Sequence, residues 1–167
     1  MVNRIQKEYS MKLSENFSLN EFTKSQTATR REIPNVPTGE HLENLKALVT
    51  NVLQPIRDAK GMPIRITSGY RSPRLNTAIG GYANSQHCKG EAADFEINGV
   101  DNYELAQWIS TFIPDFDQII LEFYTPEEKN SGWIHCSYSR VRNRKETVTA
   151  TKEKGKTLYH TGLKIVT

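Results

Sequence analysis

Two histidines and one aspartate constrain this chain more than any other feature. His87 and Asp94 lie seven positions apart in Ser85-Gln86-His87-Cys88-Lys89-Gly90-Glu91-Ala92-Ala93-Asp94, and His135 sits far downstream in Gly132-Trp133-Ile134-His135-Cys136-Ser137-Tyr138. Two imidazoles and a carboxylate are a protein ligand set for catalytic zinc, with the fourth position left open for water. If the three meet at one metal, the fold must bring two distant segments together. Such a centre makes hydroxide available near neutral pH and polarises a carbonyl. That chemistry is amide hydrolysis. The other two histidines, His41 and His160, have no such neighbours and read as surface or satisfied core residues.

A chain of 167 residues is expected to form one domain, 1–167, with room for a real core. Apolar content of 37% with 25% charged residues reads as soluble and globular. A formal net charge of +3 is too weak to argue for nucleic acid. No window approaches the roughly 18 apolar residues needed to cross a bilayer, so membrane insertion is not expected. Met1–Glu8 has no apolar core and does not read as a secretory signal. Synthesis in the cytoplasm is expected, with delivery by other machinery if the substrate lies outside the membrane. A monomer is expected. From Ser139 to Thr167 there are eight Lys or Arg against Glu146 and Glu153. Solvated strand faces account for most of that excess, and attraction to an anionic cell envelope is the alternative. Nucleic-acid binding is disfavoured, because the segment lacks aromatic interleaving.

Cys88 and Cys136 each follow a proposed ligand histidine directly. Three readings stand: further metal ligands, a disulfide behind the site, or two small buried apolar residues. Neighbours on an extended strand point to opposite faces, which argues against ligation. A cytoplasmic origin argues against the disulfide. Burial as small apolar side chains is the reading preferred.

Hydrophobic spacing predicts an alternation of short helices and strands. Residues 1–11 lack periodicity and read as a loose arm. Phe17, Leu19 and Phe22 flank a short helical turn with Ser18 as its cap. Ile33-Pro34-Asn35-Val36-Pro37 cannot be helix interior. The longest helix is expected from Thr38 to about Lys60, burying Leu42, Leu45, Leu48, Val49, Val52, Leu53 and Ile56, with Pro55 kinking or ending it. Ile64–Thr67 reads as a strand, Ser72-Pro73 as a helix start and Gly80-Gly81 as its end. Ala92–Ile97 reads as a strand that turns at Asn98-Gly99. Asp101 with Glu104 suggests a capped helix burying Leu105, Trp108, Ile109 and Phe112. Strands follow at Gln118–Phe123 and Trp133–Tyr138, joined by a polar loop. Residues 139–167 end in strands or a hairpin around Lys154-Gly155.

The surroundings sharpen the metal signal. Ser68-Gly69-Tyr70-Arg71-Ser72 precedes Ser85-x-His87-x2-Gly90-x3-Asp94, Trp133-x-His135 closes the set, and Leu53-Gln54-Pro55-Ile56-Arg57 ends the long helix. In these motifs the chain resembles the M15 family of zinc D-Ala-D-Ala carboxypeptidases, specifically the subgroup common in phages and prophages. The resemblance runs from about Leu13 to about Tyr138. It implies an α+β fold with a central antiparallel sheet and packed helices, shared with the hedgehog signalling domain. It also implies Zn2+ as cofactor and peptidoglycan stem peptides as substrate.

The resemblance assigns roles. His87, Asp94 and His135 match the zinc ligands. Arg71 matches an arginine that stabilises the oxyanion and contacts substrate, a task suited to a permanently charged, two-donor guanidinium. A structural pairing of Arg71 with a carboxylate is the competing reading. Ser85 matches a substrate-holding position, with a simple turn hydroxyl as its competitor. Gly90 lets the backbone bend between two ligands.

One departure stands out. Several relatives place Glu or Asp three residues before the last histidine ligand, and here that position is Gly132. Glu122 is the choice of general base: it lies in an otherwise apolar strand, where an unpaired carboxylate is costly. Pairing of strands 118–123 and 133–138 would bring it near His135, and desolvation would raise its pKa to a useful value. Its competing reading is a structural partner for Arg71 or Lys89. Glu91 is a weaker candidate, and Glu96 shares the parity of Asp94 and suits a supporting role. Two functions therefore stand: an endolysin-like zinc peptidase cutting D-Ala-containing stem-peptide bonds, and a non-catalytic zinc module of a phage particle on the same fold.

Overall fold

The computed structural model describes residues 11–167; most of the expected N-terminal arm lies outside the described residues. Met11, the last residue assigned to that arm, packs against the core, and its carbonyl accepts the Leu19 N–H at 2.8 Å.

The fold is α+β. Among the described residues, six α-helices precede or interleave six strands. Helix α1 spans Leu19–Thr23, α2 Gln26–Arg30, α3 Glu40–Leu48, α4 Gln54–Lys60, α5 Pro73–Ala78 and α6 Asn102–Phe112. The strands are β1 Ile64–Ser68, β2 Ala92–Ile97, β3 Gln118–Glu122, β4 Trp133–Ser137, β5 Glu146–Glu153 and β6 Lys156–Thr161. They form one sheet in the order β1-β2-β4-β3-β5-β6. All neighbours are antiparallel except β3 and β5, which run parallel. The hairpin β5–β6 appears where expected, but its docking beside β3 does not follow from local patterning.

The long helix forms with the expected buried face: Leu45, Leu48, Val49, Val52, Leu53 and Ile56 are fully buried. Pro55 does not end it. A wider turn, Val49–Leu53, separates α3 from α4, and the Gln54 N–H bonds to the carbonyl of Val49, five residues back. A proline ring collides with the carbonyl four residues earlier in a regular helix. The inserted turn displaces that carbonyl, so the helix passes through the proline. On α6, Asp101 accepts the Glu104 N–H at 3.0 Å as a cap. Leu105 and Ile109 are buried as expected, with Ala106 beside them, but Phe112 is 63% exposed and stacks near Trp108 on the outer surface.

Alternation along the strands divides the sheet into two faces. Ala93, Phe95, Ile97, Ile119, Leu121, Ile134 and Cys136 enter the core formed with α3, α4 and α6. The alternate residues of β2, β3 and β4 face the other way, toward the segment between β1 and β2. That second face carries the chemistry.

Candidate metal centre

Strand register places the ligands. Asp94 on β2 lies directly opposite His135 on β4, so both side chains rise from the same face. Ser68 lies on the other side of Asp94, brought there by an irregularity in β1 between Ile66 and Ser68. After that irregularity the chain leaves the sheet as the Gly69–Ser72 turn and returns to deliver His87. His87 stands in a 3₁₀ turn, Gln86–Lys89, whose cap is the Ser85 hydroxyl accepting the His87 N–H at 3.3 Å. Gly90 ends that turn at φ +73°, and a Cβ there would lie 2.2 Å from the carbonyl oxygen of His41. No other residue fits this bend.

The three side chains converge. His87 Nε2 lies 3.3 Å and His135 Nδ1 3.0 Å from the same oxygen of Asp94. All three ligand atoms fall within 4.8 Å of one another, and both histidines are buried. His87 Nδ1 meets the Gly69 carbonyl at 2.7 Å, which can only accept, so Nδ1 carries the proton. Nε2 then presents a lone pair toward Asp94. A lone pair facing a carboxylate oxygen is repulsive unless a cation lies between them, and the donor set therefore fits a metal ion. If His87 is instead protonated on both nitrogens, its charge and the hydrogen bonds from both histidines outweigh burial and hold Asp94 well below the usual carboxylate range.

Glu122 lies on the same face. It is opposite Trp133, while His135 is opposite Ile120, so Glu122 and His135 are diagonal neighbours across β3 and β4. Diagonal neighbours are about 7–8 Å apart at the backbone, within reach of a long side chain. Burial, reinforced by the charge of Asp94, pushes the Glu122 carboxyl up to about 6, while His135 and Arg71 pull the other way. Among the described residues it has no salt-bridge partner, so the expected alternative of a pairing with Arg71 or Lys89 is not observed.

Arg71 is tied to the same centre. Its N–H donates to the His87 carbonyl at 3.2 Å and its Nη2 approaches the Ser85 hydroxyl at 3.4 Å. Its Nε is buried without a partner. No carboxylate pairs with it among the described residues, against the structural reading of this arginine. Ser85 serves both His87 and Arg71, which makes it at least a turn hydroxyl.

Gly132 is explained by backbone geometry. It adopts φ +63°, and a Cβ would lie 1.9 Å from the Glu122 carbonyl oxygen. No side chain, acidic or otherwise, fits there. The other candidates have other partners. Glu96 pairs with Arg65 at 3.1 Å, and Glu91 accepts from Gln86 at 3.2 Å. His41 meets the Tyr70 hydroxyl at 3.3 Å, and His160 meets Thr151 at 2.8 Å. Both cysteines are free and buried, with Cys136 in the core behind His135.

Two supporting residues, Asn35 and Asp117, escape sequence patterning. Asn35, buried between two prolines, donates to the carbonyls of Thr23 and Tyr70 and accepts the Ser72 N–H at 2.8 Å, pinning the turn that carries Arg71. Asp117 is 4% exposed, binds Arg144 through two nitrogens at 3.1 and 2.8 Å, and accepts from Gln86 at 3.0 Å, beside His87. Trp133 Nε1 is buried without a partner on the site face. A polar residue inside a Pro-flanked segment was a usable signal for Asn35; nothing local marks Asp117.

A family model described as Peptidase M15 matches residues 15–137, a span that contains Arg71, Ser85, all three metal-binding candidates and Glu122. The chain belongs to the peptidase M15 family. M15 peptidases are metal-dependent, and the His87–Asp94–His135 group is one that can hold the ion. No curated protein matches the chain significantly. No described helix of this M15 peptidase is long and apolar enough to cross a membrane.

Proposed function

We propose that this M15 peptidase is a zinc enzyme that hydrolyses D-Ala-containing peptide bonds of peptidoglycan stem peptides, as an endolysin-like D-Ala-D-Ala carboxypeptidase or endopeptidase. One observation carries the reading: an unpaired, partly desolvated carboxylate, Glu122, stands on the same sheet face as a closed His-Asp-His group. Two nitrogens and one oxygen from three residues match the ligand number of catalytic rather than structural zinc. Zinc bound by His87, Asp94 and His135 would supply Lewis-acid polarisation of the scissile carbonyl and acidify water.

The protein's own residues supply the rest. Glu122, ionised above about 6, takes the proton of the attacking water. The same carboxyl group then returns a proton to the leaving amine. Arg71 offers permanent positive charge to the developing oxyanion and, among the described residues, has no carboxylate partner to compete for it. Ser85 holds both the His87 turn and one Arg71 nitrogen, so it orients two parts of the site together. Gly132 does not require the non-catalytic reading, because Glu122 on β3 can supply the carboxylate that position lacks.

The test is incubation of the purified protein with pentapeptide stems and with cross-linked peptidoglycan, in chelator and after zinc is restored. Release of D-alanine or cross-bridge cleavage that needs zinc is expected. A zinc-loaded protein that does neither is a binding module.

A further inference from the structure

Asp117 is the most deeply buried carboxylate among the described residues, at 4% exposure, and it takes no part in the chemistry proposed above. A buried charge is costly unless partners surround it. Arg144 supplies a side-chain fork, Nε at 3.1 Å and Nη2 at 2.8 Å, and its backbone N–H donates to the same carboxylate at 3.0 Å. Burial alone would push the Asp117 carboxyl up, but these bonds, joined by one from Gln86, hold it below its ordinary value. Asp117 is therefore a fixed anion. Its backbone is fixed as well: its N–H donates to the Ser137 carbonyl at 2.8 Å, and its own carbonyl accepts the Glu146 N–H at 3.0 Å. Ser137 ends β4, two residues after His135.

From that anchor Asp117 reaches the turn that carries the other imidazole. Gln86 Nε2 donates to Asp117 at 3.0 Å and to Glu91 at 3.2 Å, and Gln86 immediately precedes His87. The far end of the turn is held separately, by Asn44 donating to the Lys89 carbonyl at 2.9 Å. Groups that bind a metal must be held within about 0.5 Å of their working geometry by the bonds around them. We propose that Asp117, clamped by Arg144, is a positioning residue of the metal centre: through Gln86 it sets the His87 turn relative to the strand that carries His135. The inference rests on His87 and His135 acting as metal ligands. Arg144 lies beyond residue 137, where the family match ends, so the segment that follows β4 contributes to the geometry of the site.

A purely structural ion pair would lower stability when cut and leave the folded site unchanged. Two measurements on the full-length protein separate the roles: zinc affinity, by competition with a chromophoric chelator, and the visible absorption of the cobalt-substituted form, which reports ligand geometry. Gln86→Met keeps the side-chain length and loses the donor. It should weaken zinc binding about tenfold, the low end for losing a partner that orients a metal ligand, and alter the cobalt spectrum while the thermal midpoint of the metal-free protein changes little. Arg144→Met should weaken zinc by a similar factor and also lower the midpoint. Arg144→Lys, which restores the charge without the fork, should recover only part of the affinity. In the double variant the two losses should not multiply, because both cut one chain of bonds. Should Arg144→Met fail to fold, Gln86→Met decides alone. Unchanged zinc affinity in Gln86→Met, or losses that multiply in the double variant, overturns the positioning role while leaving the metal centre intact. Wild-type protein that binds no zinc overturns the metal centre itself, and this inference with it.

Discussion

On β2, Ala93, Phe95 and Ile97 point into the helical layer and are sealed from solvent, whereas Asp94 and Glu96 face the other side and are only half-buried. On β4 the contrast is sharper, with Ile134 and Cys136 in the core and His135 between them at the metal centre. The same peptide backbone therefore serves two environments. The packed face fixes strand register, and register decides which polar side chains meet on the other face. Packing contributes stability; the site consumes some of it, since a carboxylate with a raised pKa is destabilised in its charged form.

The largest expected effect comes from removing a ligand. His87→Ala should abolish metal binding and activity together, read by metal analysis and peptide cleavage. Full metal content in that variant would detach the site face from the proposed chemistry. Next, Glu122→Gln should keep the metal and lower turnover by about 10²–10⁴-fold, the range for general acid–base catalysis. Unimpaired turnover would move the base elsewhere. Phe95→Ala tests the opposite face. It should cost about 3–5 kcal/mol of stability by denaturant melts, while the folded fraction retains its metal affinity. A parallel loss of metal affinity in fully folded protein would mean that the two faces are not separable.

Gly132→Asp probes the seam between them. It restores an acid at the position used by several relatives, yet backbone strain and overlap with the Glu122 carbonyl should cost about 1–3 kcal/mol or more. It should not rescue Glu122→Gln; rescue would show that the loop can rearrange. The smallest effect is a pH dependence. The Glu122 pKa rises from an ordinary 4.5 to about 6 on folding, so the folded state holds the extra proton between those values. Stability of the metal-free protein should then fall as pH rises from 4.5 to 6, with the full cost present above about 6. Discounted for its partial exposure, that cost is about 1 kcal/mol, which Glu122→Gln should recover at neutral pH but not at pH 4. Equal gains at both pH values would trace the effect to packing.

Much of this architecture was legible from residue patterns. Strand alternation placed Asp94, Glu122 and His135, and the 3.6-residue repeat placed the buried face of the long helix. What escaped depends on long-range geometry. Pro55 predicts a kink or an end to the helix; the helix continues through it by the wide turn Val49–Leu53, which leaves no composition signal. Spacing predicts Phe112 in the core, but it is the last residue of α6 and lies exposed beside Trp108. Asp117 matters through Arg144 and Gln86, which are remote in sequence. The acidic gap at Gly132 was visible, but its cause, a close approach by the Glu122 carbonyl, exists only in three dimensions. The basic tail reads mostly as solvated charge, and all eight of its Lys and Arg residues are exposed, although Arg140 bonds to Glu40 and Asn44 and Arg144 to Asp117.

The parallel pairing of β5 with β3 has a consequence for biosynthesis. The strand that carries Glu122 is flanked by β4 on one side and β5 on the other, and β5 begins only at Glu146. As the ribosome extends the chain, β3 has one unpaired edge until that later strand emerges, so its backbone groups are open to association with other nascent chains. Docking of the last hairpin covers that edge and moves the outer position of the sheet to β6, so the strand that carries Glu122 ends up paired on both sides.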